Sequence, residues 1–171
     1  MTADDAGLDR LNALSGEDAE RALSACCAAS DWTAALAAGR PYPNRATLLT
    51  RSERLLSGLD WGQIRQALDA HPRIGERAAG TGREAAWSAT EQSGMDSATA
   101  DVKAALIEAN RAYEDRFGHV FLIFATGKSD TEMLAAARDR AGNDDEAERE
   151  IVRSELGKIV GLRLRKLLDA P

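Results

Sequence analysis

Two cysteines, two histidines and only eight aromatic side chains (three Trp, two Tyr, three Phe) are spread over 171 residues, and each shortage removes a class of structure or chemistry. Cys26 and Cys27 stand side by side in "RALSACCAAS", a helical-looking stretch in which neighbouring side chains diverge and do not bridge. No third cysteine exists to complete a thiolate metal site, so both read as small core residues. Aromatics at 5% and few valine- or isoleucine-rich segments argue against a large sheet, while abundant alanine and leucine argue for helix. Basic residues number 22 against 28 acidic ones, giving a net charge of -6, and they are interspersed with the acids. A nucleic-acid surface needs a basic stripe, and the sequence has none. The opening "MTADDAGLDR" lacks the basic and apolar parts of a secretion signal, and no apolar run approaches the ~20 residues of a membrane span. A cytoplasmic protein with neither nucleic acid nor membrane as partner is the expectation.

What is present is a succession of helical patterns with uniform composition, read as one domain over 1–171. Helices are expected at 8–14, 16–29 and 31–38, the last stopped by "AGRPYPN". Asn44 can cap 45–59 and Asp60 can cap 61–70. After the connector "RIGERAAGTG", a helix over 83–93 ends with Gly94 as C-cap, and Asp96 or Ser97 caps a long helix to 116. Its apolar stripe is Val102, Leu106, Ala109 and Tyr113, with Asn110 beside it as a buried hydrogen bonder. "VFLIFATG" at 120–127 fits either an extended buried segment or a helix start. Ser129 or Asp130 opens a helix to 140, "AGND" breaks it, and a final helix runs over 144–169, with "NDDEAERE" as a solvated acidic start. The expected architecture is an all-α bundle of about eight helices.

Several polar residues sit where a bundle has no obvious use for them. His71 precedes Pro72, which biases it out of the helical region and places it at a helix end. Arg163 projects within about 60° of Val152, Leu156, Ile159, Val160 and Leu167, in the middle of the apolar stripe of the last helix, whereas Arg165 points nearly opposite. A charge there needs a partner. Geometry alone leaves two readings, an internal ion pair as the commoner and a cleft arginine awaiting an anion as the sharper. Ser88, Glu91 and Gln92 share one helical face, which suits either solvent or a polar heterocycle. His71 and His119 lack the spacing that aligns two imidazoles on a helix, so no metal site is expected, and "GERAAGTGRE" lacks the lysine and preceding strand of a phosphate loop.

"HPRIGE" at 71–76, "SATEQSG" at 88–94, "NRAYEDRFGHVFLIFATG" at 110–127 and "KIVGLRLRKLL" at 158–168 occur in an order that resembles 2-oxo-4-hydroxy-4-carboxy-5-ureidoimidazoline (OHCU) decarboxylase, an enzyme of urate breakdown. The resemblance spans nearly the whole chain. It implies an all-helical, cofactor-free homodimer that converts OHCU, a small molecule, to (S)-allantoin and CO2. By the same resemblance His71 is the catalytic acid/base, Glu91 its carboxylate partner and Pro72 part of the site wall. Ser88 and Gln92 would hydrogen-bond the substrate, Ala89 and Thr90 would lie near it, and Ile123, Phe124, Ala125, Thr126 and Gly127 would offer main-chain groups. Arg163 matches the anion-binding arginine better than Arg165 does. The chain departs from the common pattern at His119 and Val120, where many members carry Phe-Pro, so His119 reads as a turn residue or pocket-edge group. The substrate's own C=N group can accept the electrons of the breaking C–C bond, which accounts for the absence of cofactor signatures. The alternatives are a non-catalytic helical ligand-binding or interaction domain with this fold, and a different lyase or hydrolase using the His/Glu pair.

Overall fold

A computed structural model describes residues 4–76 and 82–171, so part of the "RIGERAAGTG" connector lies outside the described residues. Among the described residues there are nine α-helices, one 3-10 turn and no strand. The chain divides into two compact units, Met1–Ala67 with Gly157–Pro171, and Leu68–Leu156.

In the first unit, α1 (Ala6–Ala13), α2 (Gly16–Ser24), α3 (Ser30–Ala38) and α4 (Arg45–Gly58) follow one another through short turns, with α3 packed against both α2 and α4. Asp5, Ser15 and Asn44 cap α1, α2 and α4 by accepting backbone N–H bonds. The Asp5 carboxylate is also held below its ordinary pKa by its hydrogen bond with Arg45. The helix expected to run to residue 29 ends at Ser24, whose hydroxyl bonds back to the Arg21 carbonyl at 2.7 Å, and the following turn carries Cys26 and Cys27, neither in a disulfide, into the interior. Gly39 is the C-cap of α3, and Arg40 beside it donates to the carbonyls of Leu11 and Leu14 at the end of α1 and of Ala37 in α3. Trp32, fully buried, hands its indole N–H to Ser52 Oγ at 3.2 Å. Asp60 caps α5 (Trp61–Asp69) through the Gln63 N–H, as its position in the sequence suggests.

The second unit holds α6 (Arg83–Glu91), a 3-10 turn (Ser93–Met95), α7 (Ala100–Phe117), α8 (Asp130–Arg140) and the first half of α9 (Asp145–Asp169). Its core joins Ile74, Met95, Leu106, Tyr113, Phe121, Ile123, Met133 and Ala137, and α7 packs directly on α8. Thr99, rather than Asp96 or Ser97, caps α7 by accepting the Val102 N–H, because Asp96 and Ser97 still belong to the turn that leaves the 3-10 segment and the helix begins only at Ala100. Gly118 closes α7 at φ 77°, a left-handed conformation natural to glycine. Val120 to Ala125 is non-helical and largely buried, and Thr126 and Gly127 form an exposed turn, so the run is not a helix start. Ser129 and Glu132 cap α8 reciprocally.

The acidic start of α9 differs from expectation at one position. Glu148 is 0% exposed and receives Arg140 Nε and Nη2 at 2.8 and 2.6 Å, the Tyr113 hydroxyl at 2.5 Å and Asn143 Nδ2 at 3.0 Å. It is the anionic centre of a buried network rather than a solvated residue. Burial, with the hydrogen bond to Glu148 added, pushes the Tyr113 phenol well above its ordinary pKa, so it stays a donor.

Candidate active site

The site is built outward from the end of α5. His71 N–H closes the last turn on the Leu68 carbonyl at 2.9 Å, and Pro72 then prevents continuation of the helix. The half-buried His71 and Pro72 therefore stand at a helix exit, as the sequence indicates. The residues that follow are tied down one by one. Arg73 makes a two-pronged pair with Glu114 of α7 at 2.6 and 3.1 Å, the Ile74 carbonyl accepts from Asn110 Nδ2 at 3.1 Å, and Gly75 N–H donates to Gln92 Oε1 at 2.9 Å. This connector gives His71 a fixed downstream anchor on both α7 and the end of α6.

On α6 the three-residue spacing buries Ser88 and Glu91 together, while Ala89 and Thr90 face outward as exposed residues. Gln92 is the C-cap of α6, and its side-chain carbonyl is committed to the connector, so a ligand would meet its NH2 group. Gly94 does not stop the helix as a C-cap. It lies inside the 3-10 turn, where a Cβ would come within 2.0 Å of the Lys128 carbonyl oxygen, so the position needs glycine for this close approach. That close approach sets the end of α6 against the turn that follows Ile123–Gly127. Three of the four sequence motifs thus meet in the second unit, with Gln92 touching one neighbour and Gly94 the other.

The extended segment is held by groups that pattern reading did not flag. Arg140 Nη1 binds the Leu122 carbonyl at 2.7 Å, Glu155 Oε2 accepts the Phe124 N–H at 3.3 Å, and Lys128 Nζ donates to the Phe124 carbonyl at 2.8 Å. The Ala125 carbonyl receives the Lys128 N–H at 3.0 Å. Ile123 and Ala125 are buried, Phe124 is half-buried, and Thr126 and Gly127 are exposed.

In the first unit, Arg163 is 4% exposed and Arg165 is exposed, so the helical phase read from the sequence is right. Arg163 Nη1 reaches the Ala25 carbonyl at 3.4 Å, a long bond, and its charge acts on Cys27. Burial pushes that thiol up to about 11, with Arg163 opposing the rise. His119 is buried in the second unit, with Nδ1 3.0 Å from the Val120 carbonyl and its ring edge-on to Tyr113 at 5.6 Å, a turn residue within an aromatic cluster. Among the described residues no three His, Cys, Asp or Glu side chains are grouped to hold a metal ion.

Comparison with known proteins bears on the same residues. The sequence model of the OHCU decarboxylase family matches residues 12–165. Uric acid degradation bifunctional protein TTL of Arabidopsis thaliana is 30% identical over 147 residues, 84% of this chain and 45% of that protein, so the chain spans less than half of that relative. The 2-oxo-4-hydroxy-4-carboxy-5-ureidoimidazoline decarboxylase of Amia calva is 29% identical over 140 residues, 81% of this chain and 80% of that one. A crystal structure of OHCU decarboxylase in the presence of (S)-allantoin is similar at a TM-score of 0.76 and 26% identity, covering 91% of this chain and 99% of that one. A crystal structure of (S)-allantoin synthase, 17% identical with a TM-score of 0.72 over 95% of this chain and 53% of that one, shares the fold.

Proposed function

We propose, since the chain belongs to the OHCU decarboxylase family, that it decarboxylates OHCU to (S)-allantoin and CO2 in urate breakdown. The observation that carries this reading is the family match over residues 12–165 together with His71 at the exit of α5, anchored through Gly75 to the Gln92 that follows Glu91. Loss of CO2 leaves the bonding electron pair on the substrate, where the neighbouring C=N group receives it as a new C=C bond. The protein's part is to orient, to handle protons and to select a face. His71 takes the hydroxyl proton or, once charged, delivers one to the planar intermediate, a task suited to a group whose reference pKa is ~6.5. Glu91 orients His71 or binds the substrate hydroxyl. Ser88, Gln92 and the main chain of Ile123 to Gly127 hold the ring and ureido group between Pro72 and the face of α6. Arg163 positions the anionic substrate without stabilising the departing carboxylate so strongly that release slows.

The whole of 1–171 acts in this reading as one helical domain, a cytoplasmic homodimer whose partner is a small molecule. The test generates the unstable substrate from urate with the two preceding activities and follows (S)-allantoin by circular dichroism. Faster and more enantioselective formation than in buffer is expected, and rates equal to buffer sink the assignment. His71→Asn should lower kcat by about two orders of magnitude with helicity intact, and near-normal kcat in that variant removes His71 from its role.

A further inference from the structure

The segment assigned to the ring and ureido group ends at Gly127, and the next residue, Lys128, has no part in the chemistry proposed above. It nevertheless makes three connections within the second unit. Its N–H donates to the Ala125 carbonyl at 3.0 Å, closing a turn in which Gly127 takes φ 78°, a left-handed value that glycine adopts without strain. Its carbonyl oxygen lies 2.0 Å from where a Cβ on Gly94 would stand, so the main chain at 128 rests directly on the 3-10 turn that follows Gln92. The half-buried side chain then runs back along the segment, where Nζ donates to the Phe124 carbonyl at 2.8 Å and lies 5.7 Å from the centre of the Phe124 ring. The N–H of Phe124 goes to Glu155 Oε2 of α9 at 3.3 Å, so both main-chain groups of this one residue are held by charged side chains.

We propose that Lys128 is a positioning residue for the decarboxylation, an inference that rests on the function proposed above. It acts through the Phe124–Ala125 peptide and not by touching the substrate. The ammonium is a charge-assisted donor to the carbonyl of that peptide, and the electron density it withdraws through the amide makes the Ala125 N–H, on the other side of the same peptide, a stronger donor. The close approach at Gly94 ties the placement of this peptide to the turn that ends α6, so that Glu91, Gln92 and the segment keep one register. The ring and ureido edges that the segment holds are present before and after CO2 leaves. Lys128 therefore contributes to binding throughout the reaction, and its effect falls on KM more than on kcat.

The test compares Lys128→Met, which keeps the stem and removes the donors, with Lys128→Arg, which restores a charged donor. Rates of (S)-allantoin formation from OHCU generated in place are measured on the full chain, together with the thermal transition and the Ala125 amide resonance of isotope-labelled protein. Lys128→Met should raise KM about tenfold with kcat within about threefold, and Lys128→Arg should bring KM back to within about threefold of the parent chain. The Ala125 resonance should move in the Met variant and return toward its original position in the Arg variant. A lysine that only stabilises the fold would lower the thermal transition and leave KM alone. If Lys128→Met does not fold, Lys128→Gln, which keeps a neutral donor, replaces it, with a smaller rise in KM expected. An unchanged KM in a folded neutral variant, equal KM in the neutral and Arg variants, or an Ala125 resonance indifferent to the substitution overturns the proposal. A parent chain that forms (S)-allantoin no faster than buffer instead overturns the decarboxylase reading itself, so the two failures are distinct.

Discussion

Two buried arginines, one in each unit, show how differently a fold treats the same charge. Arg140 is enclosed by its own partners: Glu148 takes two of its nitrogens, the Leu122 carbonyl a third, and the Phe121 ring lies 4.6 Å from the guanidinium carbon. That enclosure does structural work, since it pins the start of the extended segment that leads to Ile123. Arg163 is also buried, and it reaches the Ala25 carbonyl at 3.4 Å and acts on the Cys27 thiol. Burial alone therefore does not mark a functional charge. The neighbours differ in kind: a carboxylate and a carbonyl accept from Arg140, while a carbonyl and a thiol are among the groups Arg163 meets.

The largest effect is expected where the charge is most completely enclosed. Arg140→Ala leaves the Glu148 carboxylate buried without its counter-ion and should cost about 3–5 kcal/mol in urea unfolding. Replacing both partners with apolar residues, Arg140→Met with Glu148→Leu, should recover much of that loss, because no uncompensated charge remains. If the double variant is as unstable as the single one, the network contributes through its bond to Leu122 rather than through charge balance.

Arg163 should behave in the opposite sense. Arg163→Gln is expected to lower kcat/KM for OHCU about 100-fold, close to 3 kcal/mol of binding, with a smaller change in unfolding midpoint. Arg165→Ala, on the exposed side of the same helix, should change both within about 0.5 kcal/mol. Full activity in the Arg163 variant, or loss in the Arg165 variant, would erase the functional half of the contrast.

These two residues also measure what the sequence makes legible. Periodicity placed Arg163 inward and Arg165 outward because a single helix has one phase, and that phase follows from spacing alone. The same arithmetic reaches Glu148, which lies within about 60° of Arg163 around α9 and four residues before Val152, but composition pulled the other way: in "NDDEAERE" one buried acid is hidden among exposed ones. Arg140 follows Met133 and Ala137 on the apolar face of α8 in the same manner. What no single-helix pattern supplies is the partner, since Arg140 meets Glu148 and Leu122 through tertiary packing. Gly94 was misread for a related reason. A glycine after a helix usually signals a left-handed cap, yet here its missing side chain makes room for the Lys128 carbonyl, a neighbour distant in sequence. The helix exit at His71 was legible because Pro72 acts locally; the hydrogen bond from Gly75 to Gln92 was not.

Each arginine has a titratable neighbour that can sharpen the contrast at high pH, with the smallest expected effects. Tyr113, beside Arg140, and Cys27, beside Arg163, both have raised pKa values, chiefly through burial. A raised value means the fold favours the neutral form, so the associated stability is fully present below the unfolded pKa and declines as pH rises through the folded one. For Cys27 the window runs from the ordinary 9.0 to about 11. Unfolding measured across that window should show a modest loss of stability that Cys27→Ala removes. In the Arg163→Gln protein the thiol should titrate higher still, followed by ultraviolet thiolate absorbance in a Cys26→Ala background, because the charge that opposes the burial effect is gone. An unchanged titration would mean that Arg163 does not act on Cys27, and the comparison of the two arginines would lose its reporter.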